Sequence, residues 1–171
     1  VKMPSFLWNK VIKKSLYNGL RFSSQKVMLE DYEILTSVFL KINRMVFIDN
    51  NLYFYRQNSN SITHNVNVEI ISENNITIAK REQMILEAYP DLLTAVKIGR
   101  AYRALSYLTF LRKICDDYEI KQKEQKNLRK YLYLFLLDED INIKKKLAAL
   151  LLSVNLRIYD TMLRLYSKEC F

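Results

Sequence analysis

Residues 27–56, VMLEDYEILTSVFLKINRMVFIDNNLYFYR, decide how the rest of the chain is read. Leu35, Val38, Phe39 and Ile42 follow the i, i+3, i+4, i+7 spacing of one buried helix face, and an adjacent carboxylate pair, Glu30-Asp31, stands where that helix starts. Behind the helix, Met45-Val46-Phe47-Ile48 and Leu52-Tyr53-Phe54-Tyr55 are rich in β-branched and aromatic residues. They flank Asp49-Asn50-Asn51, residues that tolerate left-handed turn geometry, so a hairpin or a pair of neighbouring strands ending at Arg56 is expected.

Working outward, Asn9-Lys10-Val11-Ile12 reads as a short extended piece and residues 13–18 as one or two helical turns closed by Gly19. Leu20-Arg21-Phe22 is again extended, and residues 23–26 and 57–65 have loop composition. After Val66 the strand signals disappear, and helices are expected over residues 68–89, 92–115, 121–137 and 141–166. The expected fold is mainly α: a small α/β piece, short strands or a hairpin plus helices, then an all-helical carboxyl-terminal bundle or extension. The expected division is residues 1–65 and 66–171.

Composition narrows the class. Half of the residues are apolar, so a buried core is expected, and two glycines and two prolines are too few for a many-turned sandwich or barrel. The formal charge of +9 favours anionic partners, with the basic excess toward the two ends. Cys115 and Cys170 form no CxxC or Cys/His array, and His64 is the sole histidine. A Cys/His zinc cluster cannot be built from these residues. The amino end, VKMPSFLWNK, has no continuous apolar run of a signal peptide, and apolar runs such as LAALLL at residues 147–152 are far short of the ~20 residues needed to span a bilayer. A cytoplasmic location is expected, with the inner membrane face as a further candidate.

Glu30-Asp31 has two readings. A carboxylate at a helix start accepts orphan backbone N–H groups and meets the positive end of the helix dipole. The same rigid placement beside a cleft would let it take a proton from an incoming hydroxyl.

Asn9-Lys10-Val11-Ile12, Arg21-Phe22, Glu30-Asp31, Leu52-Tyr53-Phe54-Tyr55-Arg56 and Ser61-Ile62 follow one another in an order and spacing that resembles the carboxyl-terminal half of the catalytic domain of family-two, GT-A type inverting glycosyltransferases. These are the bacterial enzymes that build capsular and other surface polysaccharides. The resemblance implies that residues 1–65 are the acceptor-side part of such a domain. It implies Asp31 as general base, with Glu30 orienting the acceptor or the neighbouring backbone. Asn9, Lys10, Arg56 and Ser61 would bind donor or acceptor, the guanidinium of Arg56 suiting a diphosphate by charge and fork geometry. The partners it implies are a nucleotide sugar, a saccharide or lipid-linked acceptor, and a nucleotide-binding half or partner subunit.

One part of the family pattern is missing from this sequence. The βαβ half carrying the Asp-x-Asp motif does not precede residue 9, so the chain looks like a portion that would not transfer sugar alone. No metal site is assigned to this chain, and the Mg or Mn ion is expected in the full-length enzyme. Asp138-Glu139-Asp140 has the motif's form but lies between an apolar and a lysine-rich helix, which reads as a solvated turn.

The carboxyl-terminal residues carry a separate question. Lys144, Lys145 and Lys146 beside LAALLLSVNLRIYDTMLRLY make a basic amphipathic segment, in which Lys146, Ser153, Arg157, Asp160, Arg164 and Lys168 form one narrow polar stripe. Lys144, Lys145, Lys146, Arg157 and Arg164 are the candidate membrane or partner surface, with bundle packing as the plain alternative and a homo-oligomer as another occupant. A non-catalytic basic helical protein is the rival reading. No nucleic-acid partner is expected, because no helix-turn-helix is evident and Asp160 interrupts the basic stripe.

Overall fold

The helix expected behind the carboxylate pair forms as α1, Glu30–Phe39. A computed structural model describes residues 6–22, 29–50, 52–54, 56, 67–114 and 117–158. The chain divides into two compact units, Val1–Pro90 and Asp91–Phe171. That division falls later than the expected one after residue 65, because the helix at 68–88 belongs with the first unit.

In the first unit, Lys14–Tyr17 make a 3₁₀ turn, and Gly19 takes φ 78°, the left-handed geometry that lets the chain turn out of it. Helix α2, Val68–Ala88, starts at Asn67, whose side chain accepts the Ile70 N–H at 2.9 Å. Helices α1 and α2 pack on each other. Ile34, Leu35 and Val38 on α1 and Ile71 on α2 are buried, but so are the polar Thr36, Asn74 and Thr77. Arg81 on α2 donates to Thr36 Oγ1 at 3.0 Å, and its guanidinium lies 4.8 Å from the centroid of the Tyr32 ring.

The expected α/β piece does not form: among the described residues there is no strand. Residues 44–49 and 52–54 run without helix or ladder, and their large side chains are exposed, from Tyr53 at 53% to Phe54 at 95%. A two-stranded ribbon that rests on no third strand or helix is marginal in water, so strand composition alone does not close a ladder. Tyr55 and Asn51 lie outside the described residues.

Among the described residues the second unit packs three long helices on one another. After a 3₁₀ turn at Pro90–Leu92 come α3, Leu93–Ile114, α4, Tyr118–Leu137, and α5, Ile143–Val154. Asp117 caps α4 by accepting the Glu119 N–H at 2.8 Å, and Asn142 caps α5 by accepting the Lys145 N–H at 2.9 Å. Ala101, Ala104, Leu105 and Leu108 on α3, Leu128 and Phe135 on α4, and Ala149 and Leu152 on α5 form one aliphatic and aromatic core. Small alanines facing larger leucines and Phe135 let the helices approach closely.

The helix expected over residues 141–166 is interrupted: α5 stops at Val154, and residues 156–158 are helical again beyond Asn155. Asn155 breaks it in an extended conformation, and α4 takes over its terminal carbonyls. Gln125 Nε2 donates to the Leu152 oxygen at 2.7 Å, and Arg129 donates to the Ser153 and Val154 oxygens. These donors satisfy acceptors that a helix end cannot pair within itself. Ser153 is itself buried, so the narrow polar stripe read from the sequence is not a continuous solvated edge. Asp160, Arg164 and Lys168 lie outside the described residues.

Candidate functional site

Helix α1 begins in an unusual way. Leu29, directly before Glu30-Asp31, has φ 77°, the positive value that costs a branched residue roughly 1–2 kcal/mol, and it offers no side-chain cap. Among the described residues no other non-glycine has a positive φ. Strain of this kind concentrates where the surroundings over-determine a conformation, and it sits next to the acid pair.

The Asp31 side chain does not close the end of its own helix. Its Oδ2 accepts the backbone N–H of Leu7 at 3.0 Å, 24 residues earlier, and so ties the turn at residues 6–10 to the start of α1. On the same turn, Lys10 Nζ donates to the Phe6 oxygen and to Asn9 Oδ1, both at 2.6 Å. Burial pushes the Lys10 ammonium below its ordinary pKa, and the Asp31 carboxylate pulls it part of the way back. Asn9, Lys10 and Asp31 therefore stand together.

The turn also carries an aromatic surface. Phe6 stacks on Trp8 with ring centroids 5.2 Å apart, and Trp8 on Tyr53 at 4.7 Å. All three rings are substantially exposed. Leu7, Trp8 and Phe6 were not among the sequence-derived candidates: a backbone N–H has no signature in sequence, and aromatic residues in an apolar stretch look like core. The stacking of Trp8 on Tyr53 brings the Tyr53-Phe54 segment to this turn.

Other candidates stand differently. Glu30 is exposed, one residue from Asp31, and Arg56 is exposed as well. Ser61 and Arg164 lie outside the described residues. In the second unit the three lysines separate: Lys145 Nζ bonds the Tyr102 hydroxyl and lies 4.6 Å from that ring's centroid. The backbone N–H of exposed Arg157 donates to Asn155 Oδ1 at 2.8 Å. A groove of about 630 Å³ between α3 and α5 is lined by Tyr102, Leu105, Phe110, Lys144 and Ala148, among others. The Asp138-Glu139-Asp140 run is the turn between α4 and α5, Asp138 Oδ1 accepting the Asp140 N–H at 2.8 Å.

No family model and no solved structure matches the chain. Among curated proteins, glycosyltransferase GlyG of Streptococcus pneumoniae serotype 4 is 38% identical over 60 residues, which is 35% of this chain and 19% of that protein. Part of this chain is thus similar to a glycosyltransferase. The matched stretch spans about one fifth of the relative's length.

Proposed function

We propose that this chain supplies the acceptor side of an inverting GT-A type glycosyltransferase that moves a sugar from a nucleotide-sugar donor to a saccharide or lipid-linked acceptor in surface polysaccharide synthesis. What supports the reading is the Asp31 carboxylate, which is spent on a distant turn rather than on its own helix and sits beside an exposed aromatic surface. The 60-residue similarity to a glycosyltransferase adds to it.

In this reading Asp31 Oδ2 is anchored by Leu7 and Oδ1 takes the proton of the acceptor hydroxyl as the oxygen attacks the anomeric carbon. The bond from that carbon to the nucleoside diphosphate breaks on the opposite face, the diphosphate leaves with the bonding pair, and Asp31 is left protonated. Phe6, Trp8 and Tyr53 offer negative ring faces against which the C–H face of a pyranose packs. Glu30 orients the acceptor, and the Arg56 guanidinium meets the donor diphosphate.

Among the described residues no group of three acidic, histidine or cysteine side chains could hold the divalent ion. Its ligands are assigned to the nucleotide-binding half.

The test is made in the enzyme assembled with its nucleotide-binding half. Asp31→Asn keeps an oxygen for the Leu7 N–H and should lower turnover by at least ~100-fold, the low end for a lost general base, with unchanged circular dichroism. Turnover close to wild type would overturn the assignment.

A further inference from the structure

Helix α5 has two apolar faces and uses only one of them inside its unit. Ala149 and Leu152 are buried in the core with α3 and α4. Ile143, Leu147, Leu150 and Val154 recur at i, i+4, i+7 and i+11 and are 65%, 53%, 39% and 69% exposed. That spacing makes them one straight stripe along the outward side of the helix. Successive helical residues turn by about 100°, so Lys144 and Lys146 fall on the two edges of the stripe while Lys145 falls on the opposite side. There Lys145 is engaged with Tyr102. Two lysines border the apolar stripe and the third is tied within the unit.

We propose that α5 lies along an anionic bilayer surface, the stripe sunk into the boundary between headgroups and acyl chains and Lys144 and Lys146 reaching lipid phosphates. Lysine stems bury along apolar surface while their ammonium groups stay with polar partners, which is the geometry these two edges provide. The positive end of the helix dipole, at Asn142, adds to the same field. Among the described residues no helix is long and apolar enough to cross a membrane, so the contact is one of lying on it.

A second copy fits the stripe less well. Three helical turns carrying four large side chains fall short of the ~800 Å² per partner of a stable interface. Two-fold pairing through the stripe would also set the lysines of one copy against those of the other, in a chain already at +9.

The proposal does not depend on the transferase reading, and its test measures vesicle binding rather than turnover. The full chain is sedimented with vesicles of phosphatidylcholine and of phosphatidylcholine mixed with phosphatidylglycerol. Wild type should bind the anionic vesicles in a salt-sensitive way and the neutral ones much less. Lys144→Ala with Lys146→Ala should weaken that binding roughly 30-fold, about fivefold for each basic residue near the surface. Leu147→Ser with Leu150→Ser should weaken it at least ~10-fold by removing buried apolar area. Lys145→Ala should stay within about twofold of wild type, because Lys145 is engaged with Tyr102. The replaced leucines are solvent-facing, so the helix content of that variant should not change. Undiminished binding by the leucine variant, no wild-type binding at low salt, or an equal loss in Lys145→Ala would overturn the proposal. So would a dimer that the leucine variant dissociates, which would give the stripe to a second copy.

Discussion

Phe135, Leu128 and Leu152 in the second unit are 1% exposed or less, whereas Phe47, Leu52 and Phe54 in the first are 70%, 76% and 95% exposed. Both regions are rich in large apolar residues, but one encloses them and the other displays them. The second unit consists of consecutive helices, each of which satisfies its own backbone and needs only side-chain complementarity to close a core. The first contains a stretch of strand composition whose backbone groups must be paired from elsewhere, and its helix pair has polar residues buried in it. A region of this kind is suited to being completed by another body, which is what the proposed function asks of it.

The sharpest way to break this comparison uses the single tryptophan. Trp8 reports the first unit, while far-UV circular dichroism is weighted toward the helices of both. Phe135→Ala should cost the second unit about 3–5 kcal/mol, as expected for truncating a fully buried aromatic. In a urea titration the dichroism transition should move to lower concentration while the Trp8 fluorescence transition stays put. Equal shifts of both would show that the units do not unfold separately.

A smaller effect, of opposite sign, is expected in the first unit. Asn74 is 5% exposed and, among the described residues, its Oδ1 has no hydrogen-bond partner. Asn74→Leu, which keeps the branch at Cγ and replaces the amide by two methyl groups, should stabilise that unit by about 1–3 kcal/mol, the cost of a buried unsatisfied polar group, less what the larger leucine costs in packing. The Trp8 transition should shift upward in urea; a downward shift would mean the amide supports the α1–α2 contact.

The smallest effect sharpens the picture of the second unit. A hydrogen bond from Arg100, at 3.3 Å, lowers the Tyr131 phenol below its ordinary pKa against the opposing effect of burial, and Lys130 adds to the lowering. A folded pKa below the unfolded one contributes stability that is present above the unfolded value and lost as pH falls through the folded value. Stability from this group should therefore rise through the alkaline window just below the ordinary tyrosine pKa and be flat at neutral pH. Arg100→Gln should raise the Tyr131 midpoint in a phenolate absorbance titration, and an unmoved midpoint would remove Arg100 as the cause.

Much of the helical architecture was legible in the sequence. Helices over 68–88, 93–114 and 118–137 lie close to the expected spans, and the turn at residues 138–142 falls where Asp and Asn residues accumulate. The hairpin did not form among the described residues, because β propensity measures fit to a sheet that some other element must provide. The early end of α5 was not legible either. Gln125 and Arg129 reach it from another helix, and no local pattern encodes that.

The candidate site divides along the same line. By itself the sequence determined an acid pair at a helix start, an aromatic segment beyond it and a lysine run before an apolar helix, since residue type and helical period are local properties. Only the tertiary structure decided that Asp31 binds Leu7, that Trp8 meets Tyr53, and that Lys145 is engaged while Lys144 and Lys146 border an exposed stripe. Those outcomes depend on which distant surfaces come within a few ångströms, and contact energies between residues far apart in sequence leave no mark on local composition.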